Sequence, residues 1–124
     1  AEPHLRSPVR NSYWVQRIDK EYLPLFEAGI SALEKMTSIT GEALPVMAQA
    51  SNPIKAWLRD GAVIKLPNED GADVCLQEWR YDPAPFAEDK RVDRLSLFLS
   101  LRETDDERVR LALREMMEGV AWQT

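Results

Sequence analysis

Along this chain, runs that alternate apolar and polar residues give way to runs in which apolar residues recur every third or fourth position. Ser12 to Ile18, S-Y-W-V-Q-R-I, is rich in aromatic and β-branched residues and predicts a first strand. From Pro24 to Ile39 the spacing changes: Phe26, Ile30, Leu33 and Met36 or Thr37 fall at helical period, and Gly41 follows as a stop. Gly29 lies within that pattern as a weak spot or a point of close packing.

Ala43 to Ala50 is short and apolar and reads equally as strand or coil. After it, Asn52 as N-cap, Pro53 at the first helical position and Gly61 past the end frame a short helix whose apolar face is Ile54, Trp57 and Leu58. A-V-I-K-L (62–66) and D-V-C-L-Q-E-W-R-Y (73–81) are strand-like and are separated by P-N-E-D-G-A, a set of turn residues that predicts a β-hairpin.

Past Pro83 and Pro85, Asp93 is placed to cap a helix running to Leu101. Thr104 and Glu107 form a Thr-x-x-Glu capping box for another, with Asp105 and Asp106 suited to its positive first turn. Val109, Ala112, Leu113, Met116, Met117 and Val120 then repeat at three-and-four spacing, while Leu111 falls outside the stripe. These elements predict an α+β fold: a small mixed sheet with a β-hairpin, covered by helices and closed by the last two.

A length of 124 residues, 44% of them hydrophobic and 30% charged, fits one domain with its own core. The polar, proline-containing opening (1–11) reads as a linker, leaving 12–124 as the domain, and the chain reads as a fragment excised from a longer one. No apolar run approaches a membrane span and the opening lacks the apolar block of a signal peptide, so a cytoplasmic location with no membrane partner is expected. A net charge of −5, from 21 acids against 16 lysines and arginines, is opposite in sign to a DNA-binding footprint. Direct nucleic-acid binding by this segment is therefore not expected, although Arg108, Arg110 and Arg114 gather basic charge near the end.

Candidate chemistry is sparse. His4 is the sole histidine and Cys75 the sole cysteine, too few for the usual zinc sets or an internal disulfide. Cys75 lies within a strand with no basic neighbour in sequence and reads as a packed thiol. The five glycines form no phosphate-binding loop, and no cofactor is expected.

One stretch invites a sharper reading. Asp70 or Asp73 near a turn, then Glu78, one residue, and Arg80 mimics the acid, acid-x-lysine layout with which restriction-type nucleases hold a divalent metal. Arginine stays protonated, however, and cannot take the lysine's acid and base roles. A metal-dependent phosphodiesterase is thus the alternative, and a charged pair between Glu78 and Arg80 the simpler reading. Of the four tryptophans, Trp14 and Trp57 are assigned to the core. Trp79 beside Tyr81, and Trp122 at the end, are assigned to an interface, so that Glu78, Trp79, Arg80, Tyr81 and Trp122 form the candidate binding set.

Three stretches, A-G-I-S-A-L (28–33), L-Q-E-W-R-Y-D-P (76–83) and V-D-R-L-S-L-F-L-S-L-R-E-T-D-D-E-R-V-R-L-A-L (92–113), carry a resemblance. They resemble the C-terminal part of poorly characterised bacterial winged-helix proteins, some like regulators and some like abortive-infection antitoxins. Arg94 stands where that group has proline. The resemblance implies that DNA binding belongs to a winged helix upstream, and that this segment serves self-association or a protein partner without catalysis.

Overall fold

The computed structural model describes residues 6–18, 23–37, 39 and 44–121, with side chains described as far as 118. Five strands, β1 (Val9–Arg17), β2 (Phe26–Glu27), β3 (Val46–Ala50), β4 (Val63–Leu66) and β5 (Val74–Trp79), form one mixed sheet in the order β2-β3-β5-β1-β4. Helices α1 (Gly29–Met36), α2 (Ser51–Asp60), α3 (Arg94–Leu101) and α4 (Glu107–Ala121) cover it, with a 3₁₀ turn at Ala84–Phe86. The α+β class and the two packed C-terminal helices match the sequence reading.

The hairpin does not. β1 lies between β4 and β5, antiparallel to both, while β5 runs parallel to β3 on its other side. β1 is the longest strand, and Tyr13 and Val15 add to the apolar face that Val63, Val74 and Leu76 present. Its place between β4 and β5 puts Val15 and Tyr13 against that apolar cluster and takes their surface out of water. The connection 67–73 crosses β1, held by Asp73, whose carboxylate accepts the Arg17 amide at 3.2 Å and pairs with the Arg17 guanidinium at 3.4 Å.

β1 also begins earlier than expected. Val9 pairs with Trp79, so the opening segment from residue 9 onward belongs to the sheet, with buried Pro8 just before it. Phe26 and Glu27, expected within a helix, form the edge strand β2 instead. α1 starts only at Gly29, whose φ of +55° turns the chain out of the strand. The ambiguous apolar run becomes β3.

Caps set the later helices. Gly61 ends α2 in the left-handed conformation (φ +79°), as its position predicts, but α2 starts at Ser51 and Asn52 is not its cap. Asp93 accepts the Ser96 amide at 3.0 Å and caps α3. For α4, Asp106 replaces Thr104 as the capping side chain and accepts the Arg108 amide at 2.9 Å.

Two cores result. On one face of the sheet Val15, Val63, Val74 and Leu76 pack on Ile54 of α2, with Trp57 and Leu58 partly buried around them. On the other, Ala48 and Trp79 meet Ala32 and Leu33 of α1, Leu97 of α3 and the α4 stripe of Val109, Ala112, Leu113 and Met116. Leu111 is exposed, as its place off the stripe predicts, and Val120 lies outside the described side chains.

Candidate functional site

The helical layer of α1, α3 and α4 covers one half of its sheet face and leaves the other half open. Alternation places Val46, Cys75, Trp14 and Leu66 on that face. Register puts them side by side across four strands: Val46 opposite Cys75, Cys75 opposite Trp14, Trp14 opposite Leu66. Ile64 extends the row along β4. Trp14 is 37% exposed and Ile64 44%, so this apolar strip meets solvent, whereas Val15, Val63, Val74 and Leu76 on the opposite face of the same strands are buried with Ile54 of α2.

A groove of about 350 Å³ runs along the strip. Trp14, Val46, Cys75 and Gln77 make its floor, Ile30 and Leu101 its helical wall, and Glu69 of the crossing connection its rim. Its floor is apolar apart from Gln77, and its volume falls at the lower end of the range of small-ligand clefts. At its base the Cys75 thiol is pushed up by burial, so it remains a thiol and a packing group rather than a nucleophile.

Of the binding set, Arg80 and Tyr81 are exposed, whereas Glu78 and Trp79 lie inside. Trp79 is 1% exposed in the core against α1 and α3, the reverse of its expected place at the surface. Tyr81 packs edge-on against it with ring centroids 5.6 Å apart, and the Tyr81 and Ser96 hydroxyls share a hydrogen bond. β5 ends at Trp79, so Arg80 leaves the strand and does not extend the face of Glu78. Trp122 and His4 lie outside the described residues.

Glu78 is 4% exposed and fully engaged. Its carboxylate accepts from Asn11 Nδ2 and the Tyr13 hydroxyl, each at 2.9 Å, and from the Ser51 hydroxyl in the first turn of α2. The Ser51 bond, then that of Asn11, holds Glu78 below the usual carboxylate range against the opposing effect of burial. Tyr13 is pushed up by burial and by its bond to Glu78, which keeps its proton in place. The cluster ties β1, β5 and the start of α2 together.

A depressed folded pKa stabilises above the unfolded value, about 4.3 for glutamate, and that contribution is lost as pH falls through the lower folded value. Glu78→Gln is expected to lower stability by about 1 to 3 kcal/mol at neutral pH, the scale of hydrogen bonds to a charged group. In urea titrations the gap between the two proteins narrows below pH 4. A gap independent of pH would refute the assignment.

The nuclease-like acids do not converge. Asp73 is engaged by Arg17, Glu78 by Asn11 and Tyr13 about five residues or roughly 16 Å along the strand, and Asp70 is exposed in the connection. Among the described residues no three acids, cysteines or histidines gather around a common point. The anticipated basic patch is split: Arg108 pairs with Asp106, while Arg110 and Arg114 join Arg102 around a shallow groove between α3 and α4.

Sequence reasoning missed Trp14, Ile64 and Leu66. The signal was present in the alternation of β1, which carries large apolar residues on both faces, Tyr13 and Val15 on one and Trp14 on the other. Membrane spans are not suggested either, since no helix among the described residues is long and apolar enough to cross a bilayer. No family model, no curated protein sequence and no solved structure matches this chain.

Proposed function

We propose that this chain is a non-enzymatic interaction domain, the module through which a bacterial DNA-binding regulator or antitoxin-like protein associates with itself or with a protein partner, and that the open half of its sheet is the docking surface. The observation that carries the interaction reading is the apolar row Val46, Cys75, Trp14 and Leu66, continuous across four strands and left partly in solvent beside a groove of about 350 Å³. Uncovered aromatic and aliphatic surface of this kind is favourable to bury and typical of the centre of an interface. The dispersal of Asp70, Asp73 and Glu78 supports a role without metal-assisted catalysis. The regulator part of the reading is supported by the three resembling stretches of sequence.

The test is a photo-crosslinking residue in place of Trp14. Irradiation is expected to join the chain to a second polypeptide from position 14 and not from exposed Glu103 in the α3-α4 connection. Equal yield from both positions, or none from either, would remove the open face as the docking surface.

A further inference from the structure

The two edges of the sheet are treated differently. Beyond β2, the segment around Lys90 to Val92 closes the edge: the Glu27 amide donates to the Lys90 carbonyl at 2.8 Å and the Val92 amide to the Glu27 carbonyl at 2.9 Å. Beyond β4, no backbone group among the described residues is set against the strand.

Which groups β4 presents outward follows from its pairing with β1. The Ile18 amide donates to the Ala62 carbonyl at 2.9 Å, and the register runs Arg17 to Val63, Gln16 to Ile64, Val15 to Lys65 and Trp14 to Leu66. Hydrogen-bonded and non-bonded pairs alternate in an antiparallel ladder, so Ile64 and Leu66 turn their amides and carbonyls toward β1. Val63 and Lys65 turn theirs away. The same parity holds on the other side of β1, where the Val15 carbonyl accepts from Asp73 in the direction of β5.

The geometry points to a second copy of this chain as the occupant of that edge, paired β4 to β4 about a two-fold axis through Ile64. This assignment rests on the interaction reading above and adds a contact at the edge of the open face, which it extends and does not cover. In that register Val63 of each copy faces Lys65 of the other. The outward amides and carbonyls of these two residues then form four hydrogen bonds, and the two Ile64 side chains meet as a close non-bonded pair on the open face. An isologous contact of this kind closes on itself.

Three observations favour a second copy over an unrelated strand. β4 is its own complement in this register, apolar Ile64 against Ile64, with no lysine opposite a lysine. Lys65, the residue type that usually guards an edge, is drawn onto the opposite face, its Nζ 4.9 Å from the centroid of the Tyr13 ring. The pairing also makes the two open half-faces, each with its Trp14 row, continuous across one ten-stranded surface, twice the five strands of a single copy.

Proline provides the test, because the Lys65 amide points away from β1 and has no acceptor among the described residues, and an outward-facing edge position accepts proline. Sedimentation equilibrium of the full chain is expected to show a dimer. Lys65→Pro is expected to retain the folded circular dichroism spectrum and to weaken the dimer at least about tenfold, through the loss of two symmetric hydrogen bonds. If Lys65→Pro fails to fold, Ile64→Glu reads the same contact, since Ile64 is half exposed and the two charges would meet at the axis. A wild-type monomer at all concentrations overturns the inference, as does a dimer that survives in a folded variant. In either case crosslinking from position 14 still decides the broader reading.

Discussion

Replacing Trp79 with alanine is expected to lower the unfolding free energy by about 3 to 5 kcal/mol, the range for truncating a fully buried aromatic. Trp79 is 1% exposed and packs with Ala32, Leu33 and Leu97 at the junction of the sheet with α1 and α3. Its indole N–H donates to Gln77 Oε1 at 3.0 Å, so the ring is buried with its polar atom satisfied. Alanine leaves a cavity that the surrounding helices close only in part, and Tyr81 loses the ring it packs against. Trp14→Ala is expected to cost less than half as much, because Trp14 is already 37% exposed. Guanidinium denaturation of the two variants checks both values, and a Trp79→Ala loss no larger than that of Trp14→Ala would contradict the buried placement.

Gly29→Ala is expected to destabilise by about 2 to 5 kcal/mol, from two causes that act together. The residue has φ +55°, a conformation costing a non-glycine residue about 1 to 3 kcal/mol. A Cβ would also stand 2.8 Å from Val46 Cγ1 and 3.2 Å from Val46 Cβ, a further overpacking cost of about 1 to 3 kcal/mol. Val46 cannot withdraw easily: its amide donates to Ser31 Oγ at 2.8 Å and its carbonyl accepts from Ala28 at 3.0 Å. The double variant Gly29→Ala with Val46→Ala should relieve the 2.8 Å contact with Cγ1, keep the tighter-than-usual approach to Cβ, and leave the backbone part. A thermal unfolding midpoint for Gly29→Ala equal to that of the wild type would refute this account of the β2-α1 corner.

The two tryptophans on neighbouring strands show what could be read from the sequence and what could not. Residue type marked β1 and β5, a capping signal marked α3 and periodicity marked the stripe of α4, and the signals at Asp93 and Gly61 act at the helix ends they marked. Those features are local, set by alternation, capping and left-handed backbone within a few residues. The partner of each strand is not local. A seven-residue connection rich in turn residues suited a hairpin of β4 and β5, yet it carries the chain across β1, because β1 completes the apolar face beneath α2. That insertion sets which half of the sheet lies beneath α1, α3 and α4.

Trp79 therefore falls under the helices and Trp14 beyond them, opposite to the assignment made from sequence neighbours alone. Glu78 was similarly visible as an acid on a strand, but its partners Asn11, Tyr13 and Ser51 come from two other elements distant in sequence. Asn11 was read as part of a linker because nothing in its own neighbourhood announces the strand that receives it. Only the tertiary arrangement separates a carboxylate that anchors a helix start from one that would hold a metal.

The central claim, that the open half of the sheet is where this domain meets another polypeptide, is tested most directly by irradiating cells of its source that carry the photo-crosslinking residue at position 14. The account predicts a covalent adduct larger than the chain itself, formed from position 14 and absent from position 103, with the attachment mapped to another polypeptide lying on the Trp14, Cys75 and Leu66 row. Irradiation that leaves position 14 without an adduct, while the protein is folded and present, would contradict it.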